Sequence, residues 1–175
     1  MSATSLKKSG TDQFHNYLVQ YKDHVREQGS DGYYHVDVVA EAYNQGFSDG
    51  EKSGKKDFLD QIVKGRVERF TQKANQIYIL TQRVVSFLND HKYKVHSFHI
   101  NLSTKCQKVI VSVDNDLLLN DEFVEKSYTK VFEMKRIFTE LFEEEYLDMS
   151  LMGSNELDLQ ALEENGFGYY EILNS

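Results

Sequence analysis

Four acidic residues between positions 114 and 122 come nearest, in type and spacing, to a catalytic pattern. Asp114 and Asp116 follow a predicted strand, and Asp121 and Glu122 come next along the chain. Carboxylates at the end of a strand hold Mg²⁺ in metal-dependent phosphotransfer enzymes. However, Asp and Asn are also what turns and first helical turns prefer. Because no glycine-rich phosphate loop accompanies them, we expect a turn and a helix cap, and Asp114 and Asp116 are the metal ligands of the alternative interpretation.

Three histidines and the single cysteine lie just before this acidic stretch. His91, His96 and His99 fall within nine residues of one another, and Cys106 lies close to two lysines. Zinc sites combine Cys and His at characteristic spacings that are absent from this sequence, and a cysteine nucleophile needs a base held beside it. We therefore expect structural histidines and an incidental cysteine. The sequence predicts no catalytic residue, no bound metal and no cofactor.

The charge of the chain is unevenly distributed. The net charge is −8, which divides into −4 for residues 1–51, +8 for residues 52–108 and −12 for residues 109–175. The basic and acidic blocks would contact each other within one subunit or between subunits, or each would contact a different partner. Simple solvation of both blocks is the alternative.

The basic block also contains residue types that bind nucleic acid. Phosphate contacts would come from Lys64, Arg66, Arg69, Lys73 and Arg83. The pI of the whole chain is about 5.2, and the aromatic residues nearby fit core positions better than stacking positions. A nucleic-acid-binding module is therefore an alternative, and the acidic composition of the whole chain disfavours it.

Length and composition predict a cytoplasmic protein, or one incorporated in a virion or secretion assembly. The 175 residues suffice for one medium domain with an N-terminal appendage. The apolar runs are too short to span a membrane or to form a secretory signal, and a single cysteine suits a reducing compartment. Lysine exceeds arginine by 15 to 5, with no proline or tryptophan, a bias that we associate with bacteria or phage.

The clearest pattern in the sequence lies between Asp57 and Asp90. Residues there recur at alternating intervals of four and three, which predicts a long helix with a coiled-coil-like heptad seam. Basic residues flank the first half of this seam and apolar residues flank the second half. A narrow seam suits another helix, whereas a wide apolar face suits a sheet. The seam consists of Val63, Val67, Phe70, Ala74, Ile77, Thr81, Val84 and Leu88.

The charges beside the seam predict the kind of helix that it contacts. Lys64, Arg66 and Lys73 would repel their copies in a parallel homodimer. An acidic helix is a better partner, and the region Glu133–Glu145 of this chain or of a neighbouring subunit supplies one. The predicted partner-binding residues are Lys64, Arg66, Val67, Phe70, Lys73, Glu140, Glu143 and Glu144.

After the long helix the pattern alternates between strand and helix, so the predicted fold class is α+β. The order is α-β-β-α-β-α-β with an antiparallel-rich sheet, in the split-βαβ, ferredoxin-like style. The core of this order resembles the ring-building modules of bacterial secretion systems in topology. The predicted strands are 93–102, 108–113, 146–152 and 168–173, and the predicted helices are 121–144, with Asn120 or Asp121 as its cap, and 156–164.

Glycines at intervals of four separate this domain from the N-terminus. The pattern Ala42-Tyr43-x-x-Gly46-Phe47-x-x-Gly50-x-x-x-Gly54 resembles segments of the flagellar and type III export stator family, which implies a dimeric, assembly-forming relative. Each glycine inside a helix costs about 1 kcal/mol relative to alanine. We therefore predict that a helix ends near Gly46–Gly50 and that a flexible link runs through Gly54. The domains are then 1–54, with helices at 13–28 and 35–49, and 55–175.

These patterns predict a non-catalytic protein–protein interaction or assembly subunit, oligomeric or part of a larger bacterial or phage machine. The long helix, the opposed charge blocks and the lack of a convergent polar site support this prediction. The alternatives are a metal-dependent phosphotransfer enzyme that uses Asp114 and Asp116, and a nucleic-acid-binding module that uses residues 52–108.

Overall fold

A computed structural model describes residues 10–28, 52–102, 106–143 and 145–173. The chain divides into two compact units, Met1–Gln72 and Lys73–Ser175. The predicted helix at 35–49 and the glycines Gly46 and Gly50 lie outside the described residues. The predicted domain boundary at 54/55 therefore stays a prediction.

Two helical segments form the described part of the first unit. Helix α1 spans Gly10–Gln28 and begins slightly before the predicted start, and its Phe14 and Leu18 are buried. The ring of Phe14 stacks on that of Tyr17 at 6.3 Å. The second segment is the start of helix α2, in which the seam residues Val63, Val67 and Phe70 are half-buried.

Helix α2 spans Lys52–Asp90 and runs from the first unit into the second. Gly54 lies inside it, so the predicted flexible link through Gly54 is wrong. In a long helix each further residue adds a hydrogen bond without a new nucleation cost, and this offsets the penalty of one glycine. The helix ends at Asp90, and Lys92 follows it with a left-handed φ of 63°. The Lys92 N–H donates to Asn89 O at 2.9 Å and the Tyr93 N–H donates to Leu88 O at 2.9 Å, as in a Schellman motif.

The second unit is built on a four-stranded mixed sheet, so the predicted α+β class is confirmed. Its strands are β1 (Val95–Asn101), β2 (Cys106–Val113), β3 (Tyr146–Gly153) and β4 (Tyr169–Ile172). The order in the sheet is β3-β2-β1-β4. Strand β1 is antiparallel to both neighbours. Only four residues separate it from β2, too few for the crossover that a parallel neighbour needs. Strands β2 and β3 are parallel because a helix connects them.

The arrangement of these strands differs from the split-βαβ style. In that arrangement another strand lies between the two parallel strands. Here β2 and β3 are hydrogen-bonded neighbours over the whole of β3, from Tyr146 to Gly153. A direct βαβ unit is combined with an antiparallel strand β1, and β4 is added at the far edge.

Two helices complete the second unit. Helix α3 spans Asp121–Leu141 and ends three residues before the predicted end. As predicted, Asn120 caps it, accepting a hydrogen bond from Phe123 N at 3.0 Å. Helix α4 spans Leu159–Glu164, capped by Asp158 at its start, and the left-handed Gly166 follows its end. Short 3₁₀ turns precede these helices at Asn115–Leu119 and Ser154–Glu156.

The core lies between one face of the sheet and helices α2 and α3. Phe98 of β1 points to this face, and its ring lies 6.1 Å from that of Tyr78 in α2. Helix α3 lies beside α2, since Lys130 Nζ is 5.8 Å from the centre of the Phe87 ring. The α2 residues buried in the second unit are Ala74, Ile77, Tyr78, Leu80, Thr81, Val84, Val85 and Leu88. The wide apolar face predicted for the second half of α2 is therefore packed, as expected, against the sheet.

Residues 154–168 cross the opposite face of the sheet. They join β3 to β4, which lie at opposite edges. Asn101 Nδ2 donates to Asn165 O at 2.7 Å, and Asn101 lies on the face opposite Phe98. The crossing therefore ends on the face that carries Ser97 and His99. We call this the His99 face.

Candidate functional site

The carboxyl ends of three strands meet at one edge of the sheet. Strands β2, β3 and β4 all run in the same direction, because β2 and β4 are each antiparallel to β1 and β3 is parallel to β2. In open sheets of this kind ligands bind outside the carboxyl ends of the strands. Asp114 and Asn115 follow β2 there, and Ser154 follows β3. The sequence-predicted metal ligands Asp114 and Asp116 lie at this edge.

His96 and Asp114 form an ion pair at this edge. His96 Nε2 lies 2.6 Å from Asp114 Oδ1, and the side chains are 32% and 50% exposed. The hairpin register places Val95 opposite Val113, and an irregularity between Val95 and Ser97 brings His96 into reach. A histidine held by a carboxylate has the composition of a general-base pair. No third member of a catalytic set is associated with it in the part of the chain that the structure describes.

The structure gives Asp114 and Asp116 different roles. Asp114 binds His96 and makes no side-chain capping hydrogen bond to the 3₁₀ turn that it precedes. Asp116 is exposed in the first part of that turn. Within residues 10–28, 52–102, 106–143 and 145–173, no three His, Cys, Asp or Glu side chains lie close enough to hold a metal ion.

Asn115 joins the ends of β2 and β3 beside this pair. Its Oδ1 accepts a hydrogen bond from Asn155 N at 3.1 Å. Its side chain also packs on the backbone of Gly153, where a Cβ would lie 2.7 Å from Asn115 Cγ and Oδ1. A Cβ at position 153 would therefore displace the Asn115 amide, although the φ of −64° at Gly153 is open to any residue.

We expect Gly153→Ala to destabilise the protein by about 1–2 kcal/mol, because Asn115 must move and lose its hydrogen bond to Asn155. Gly65→Ala is the matched control: nothing lies within 4 Å of a Cβ built at this helical glycine. That substitution should stabilise the protein by about 0.5–1 kcal/mol. Urea denaturation of both variants tests the pair, and a neutral or stabilising Gly153→Ala would contradict the packing of Asn115.

A second polar group lies on the His99 face. Ser97 Oγ and His99 Nε2 are 3.1 Å apart, and Ser112, opposite Ser97 on β2, is also buried. A serine beside a histidine is the pairing of a nucleophile and its base. His99 is 2% exposed, however, and its ring stacks on that of Tyr170 at 5.7 Å. The pair is therefore closed to substrate in this structure, and burial lowers the pKa of His99.

A carboxylate with two phenols holds β4 to α2 on the core face. Tyr78 Oη donates to Glu171 Oε1 at 2.9 Å, and Tyr169 Oη donates to the same oxygen. Burial, together with the hydrogen bond to Glu171, raises the pKa of Tyr169 well above its ordinary value. The arrangement ties β4 to α2 through the carboxylate of Glu171.

The predicted partner-binding residues divide between the two units. In the first unit Lys64 is exposed, and Arg66, Val67 and Phe70 are half-buried. In the second unit Lys73 Nζ lies 2.6 Å from Glu145 Oε2, so one member of the basic block pairs with one member of the acidic block inside this chain. The remaining residues are Glu140, which lies 3.6 Å from Arg136, Glu143, which is exposed, and Glu144, which lies outside the described residues.

Large apolar side chains are exposed at both edges of the sheet. On β4, which pairs only with β1 among the described strands, Tyr170 is 57% and Ile172 is 65% exposed. Tyr146 of the opposite edge strand β3 is also exposed, as are Phe132 and Leu141 of α3. Edge strands are where a second chain adds to a sheet.

Sequence reasoning missed the partners of the two histidines and of Glu171. The hairpin prediction contained the signal for His96, because pairing the end of one strand with the start of the other brings positions 96 and 114 together. No local signal indicates that Tyr170 covers His99 or that Tyr78 binds Glu171, since β4 reaches β1 only after the crossing over the sheet. These contacts depend on the order of the strands.

Comparisons with protein-family models, with curated proteins and with solved structures found no match to this chain. Among the described helices, none has the length and apolar character needed to cross a membrane. The function must therefore be argued from the geometry alone.

Proposed function

We propose that this chain is a non-catalytic protein–protein interaction or assembly subunit. The observation that carries the proposal is the edge strand β4, which exposes Tyr170 and Ile172 beside an outer edge that pairs with no other described strand. Exposed apolar residues at a strand edge favour association with another chain. The backbone groups of Tyr170 and Ile172 point outward, because Leu173 N bonds to His96 O and alternate residues face opposite ways.

The polar groups of the second unit support the same proposal. The Ser97–His99 pair is buried, and Glu171 is bound by two phenols. His96 and Asp114 are accessible, but they form an ion pair with each other and the described residues add no further catalytic group to it. Each group has a partner that explains its presence as part of the fold, so no convergent set of catalytic side chains favours the phosphotransfer alternative within the described residues.

We expect the protein to self-associate in a concentration-dependent manner and Ile172→Lys to weaken that association at least about tenfold, the effect of losing one central interface residue. The reason is that a lysine on an edge strand opposes pairing with a second strand. Size-exclusion chromatography with light scattering, over a range of protein and salt concentrations, measures the mass.

Leu119→Lys is the matched control, because Leu119 is 85% exposed and belongs to the turn before α3 and not to β4. It should associate like the unmodified protein. A monomer at every protein and salt concentration would remove self-assembly from the proposal, and association unaffected by Ile172→Lys would exclude β4 as the contact.

A further inference from the structure

The buried imidazole of His99 has no function in the assembly proposed above. It is 2% exposed, and Ser97 Oγ is the hydrogen-bond partner of its Nε2. A buried histidine in such surroundings is stable when neutral, because a charge there would lose its hydration. The question is which part of the fold would give way if this imidazole were to bind a proton.

Among the residues that the structure describes, those around His99 offer no compensating charge. Its own strand contributes Ser97 and Asn101 on the same face, and β2 contributes Ile110 directly opposite and Ser112. The crossing segment 154–168 carries Glu156, Asp158, Glu163 and Glu164, all exposed. Lys108, near the start of β2, lies on the same face, and its charge would repel a protonated His99. Burial is accordingly the cause that lowers the pKa of His99.

Strand β4 contributes Tyr170, directly opposite His99, whose ring stacks on the imidazole. Four residues of β4 pair with β1, whereas eight residues of β3 pair with β2. The side chains that β4 places on the His99 face are those of Tyr170 and Ile172, and both are already exposed. Strand β4 is the shortest of the described strands and pairs with β1 alone among them, and elements with few paired residues open locally at low free-energy cost. Its release also requires that Glu171 part from Tyr78 and that the ring of Tyr169 leave the core face.

We propose that β4 is a pH-sensitive latch over His99, which opens locally when His99 binds a proton. In the closed form Tyr170 covers the imidazole, and Leu173 N bonds to His96 O at 2.8 Å. In the open form β4 leaves β1, the imidazole reaches water and its charge is hydrated. The proposal is independent of the assembly function, because it concerns the inner edge of β4 and applies to a monomer.

The direction of the pH effect follows from linkage. The pKa of His99 is lower in the closed form than the ordinary value of 6.5 that it regains on opening. Below pH 6.5 the open form therefore binds the proton first, so the closed form loses stability as the pH falls from about 7 toward the pKa of the closed form. If the closed form binds no proton, the opening equilibrium constant rises by up to about thirtyfold between pH 8 and pH 5.

Hydrogen exchange resolved by NMR tests the latch, with rates corrected for the intrinsic pH dependence of exchange. The reporting amides are Leu173, which bonds to His96 O, and Glu171, which faces β1 by the alternation of the ladder. Their protection should fall about tenfold or more between pH 7.5 and pH 5. The amides of β3 that bond to β2 should show a much smaller change, because local opening does not involve them.

Two substitutions identify the group responsible. His99→Gln keeps a hydrogen-bonding side chain next to Ser97 without a titrating group, and it should remove the pH dependence of protection in β4. His91→Gln changes an exposed histidine of the same unit, and this variant should retain the pH dependence of protection in β4. Equal pH dependence in His99→Gln and in the unmodified protein would overturn the proposal.

The proposal can also be tested on the unmodified protein alone, should His99→Gln not fold. An NMR titration of the His99 imidazole should give a pKa below 6.5. A value of 6.5 or higher contradicts the latch, and so does an equal loss of protection in β3 and β4, which would indicate unfolding of the whole sheet.

Discussion

Replacing Phe98 with alanine should lower the free energy of unfolding by about 3–5 kcal/mol. Phe98 is fully buried in the middle of β1, and its ring contacts those of Tyr78, at 6.1 Å, and Tyr169, at 6.3 Å. These rings belong to α2 and β4, so the substitution leaves a cavity where a helix and two strands meet. Buried aromatic rings contribute both apolar area and favourable edge-to-face contacts.

The matched control is Phe132→Ala, which removes the same atoms from a side chain that is 61% exposed on α3. Its effect should lie within about 0.5 kcal/mol. Urea denaturation followed by circular dichroism measures both variants, and the slope with denaturant should be unchanged if only stability differs. A cost below about 1 kcal/mol for Phe98→Ala, or equal costs for both variants, would contradict the assignment of Phe98 to the core.

The long helix shows what local sequence can predict. The intervals of four and three place Ala74, Ile77, Val84 and Leu88 on one side, and all four are fully buried. The apolar flanks in this half predicted a wide face against a sheet, and Leu80 is buried there too. This succeeds because a helix presents residues three and four apart on one surface, whatever lies opposite. The same pattern predicted the end of the helix at Asp90 but not its start at Lys52. Lys92, two residues beyond that end, adopts the left-handed conformation that glycine usually takes there.

The sheet shows where local sequence stops being informative. Alternation in residues 146–152 predicted a strand, and β3 spans Tyr146–Gly153. Alternation does not state which strand lies beside it, so the parallel pairing with β2 was not predicted. The position of β4 next to β1 was missed for the same reason. Pairing between strands distant in sequence depends on connections and packing across the whole unit.

In the candidate site, too, sequence predicts contacts that are local along the chain but not contacts that depend on the order of the strands. His96 and Asp114 are 18 residues apart but lie at the open ends of one hairpin, so their contact is within reach of sequence reasoning. Glu171 and Tyr78 are 93 residues apart and meet only because β4 returns to β1 under α2. The partners of His99 depend on that same return. Sequence therefore predicted the residue types at this edge of the sheet but not the contacts that decide their chemistry.

The ion pair between Lys73 and Glu145 decides where the basic and acidic blocks of the chain meet. The two side chains are 14% and 22% exposed, and their charged atoms are 2.6 Å apart. Lys73→Glu alone should destabilise the protein by about 1–3 kcal/mol, and Glu145→Lys should do the same, because each brings two like charges together where water screens them poorly. This range is reduced from that of a fully buried pair because both side chains retain some solvent.

The double variant Lys73→Glu with Glu145→Lys restores opposite charges and should recover at least half of the summed loss, a coupling of about 1–3 kcal/mol. The same cycle at Arg136 and Glu140 is the control. Those side chains are 73% and 67% exposed with their charged atoms 3.6 Å apart, so their coupling should be close to zero. Urea denaturation at two salt concentrations supplies all the free energies, and salt should weaken the Lys73–Glu145 coupling only slightly.

A coupling that is absent would mean that the two blocks do not pair here in solution, which would leave Lys73 and Glu145 available to a neighbouring subunit. A strong coupling assigns this contact to the interior of one chain and confines any contact between subunits to the remaining basic residues of α2 and to the edge of β4.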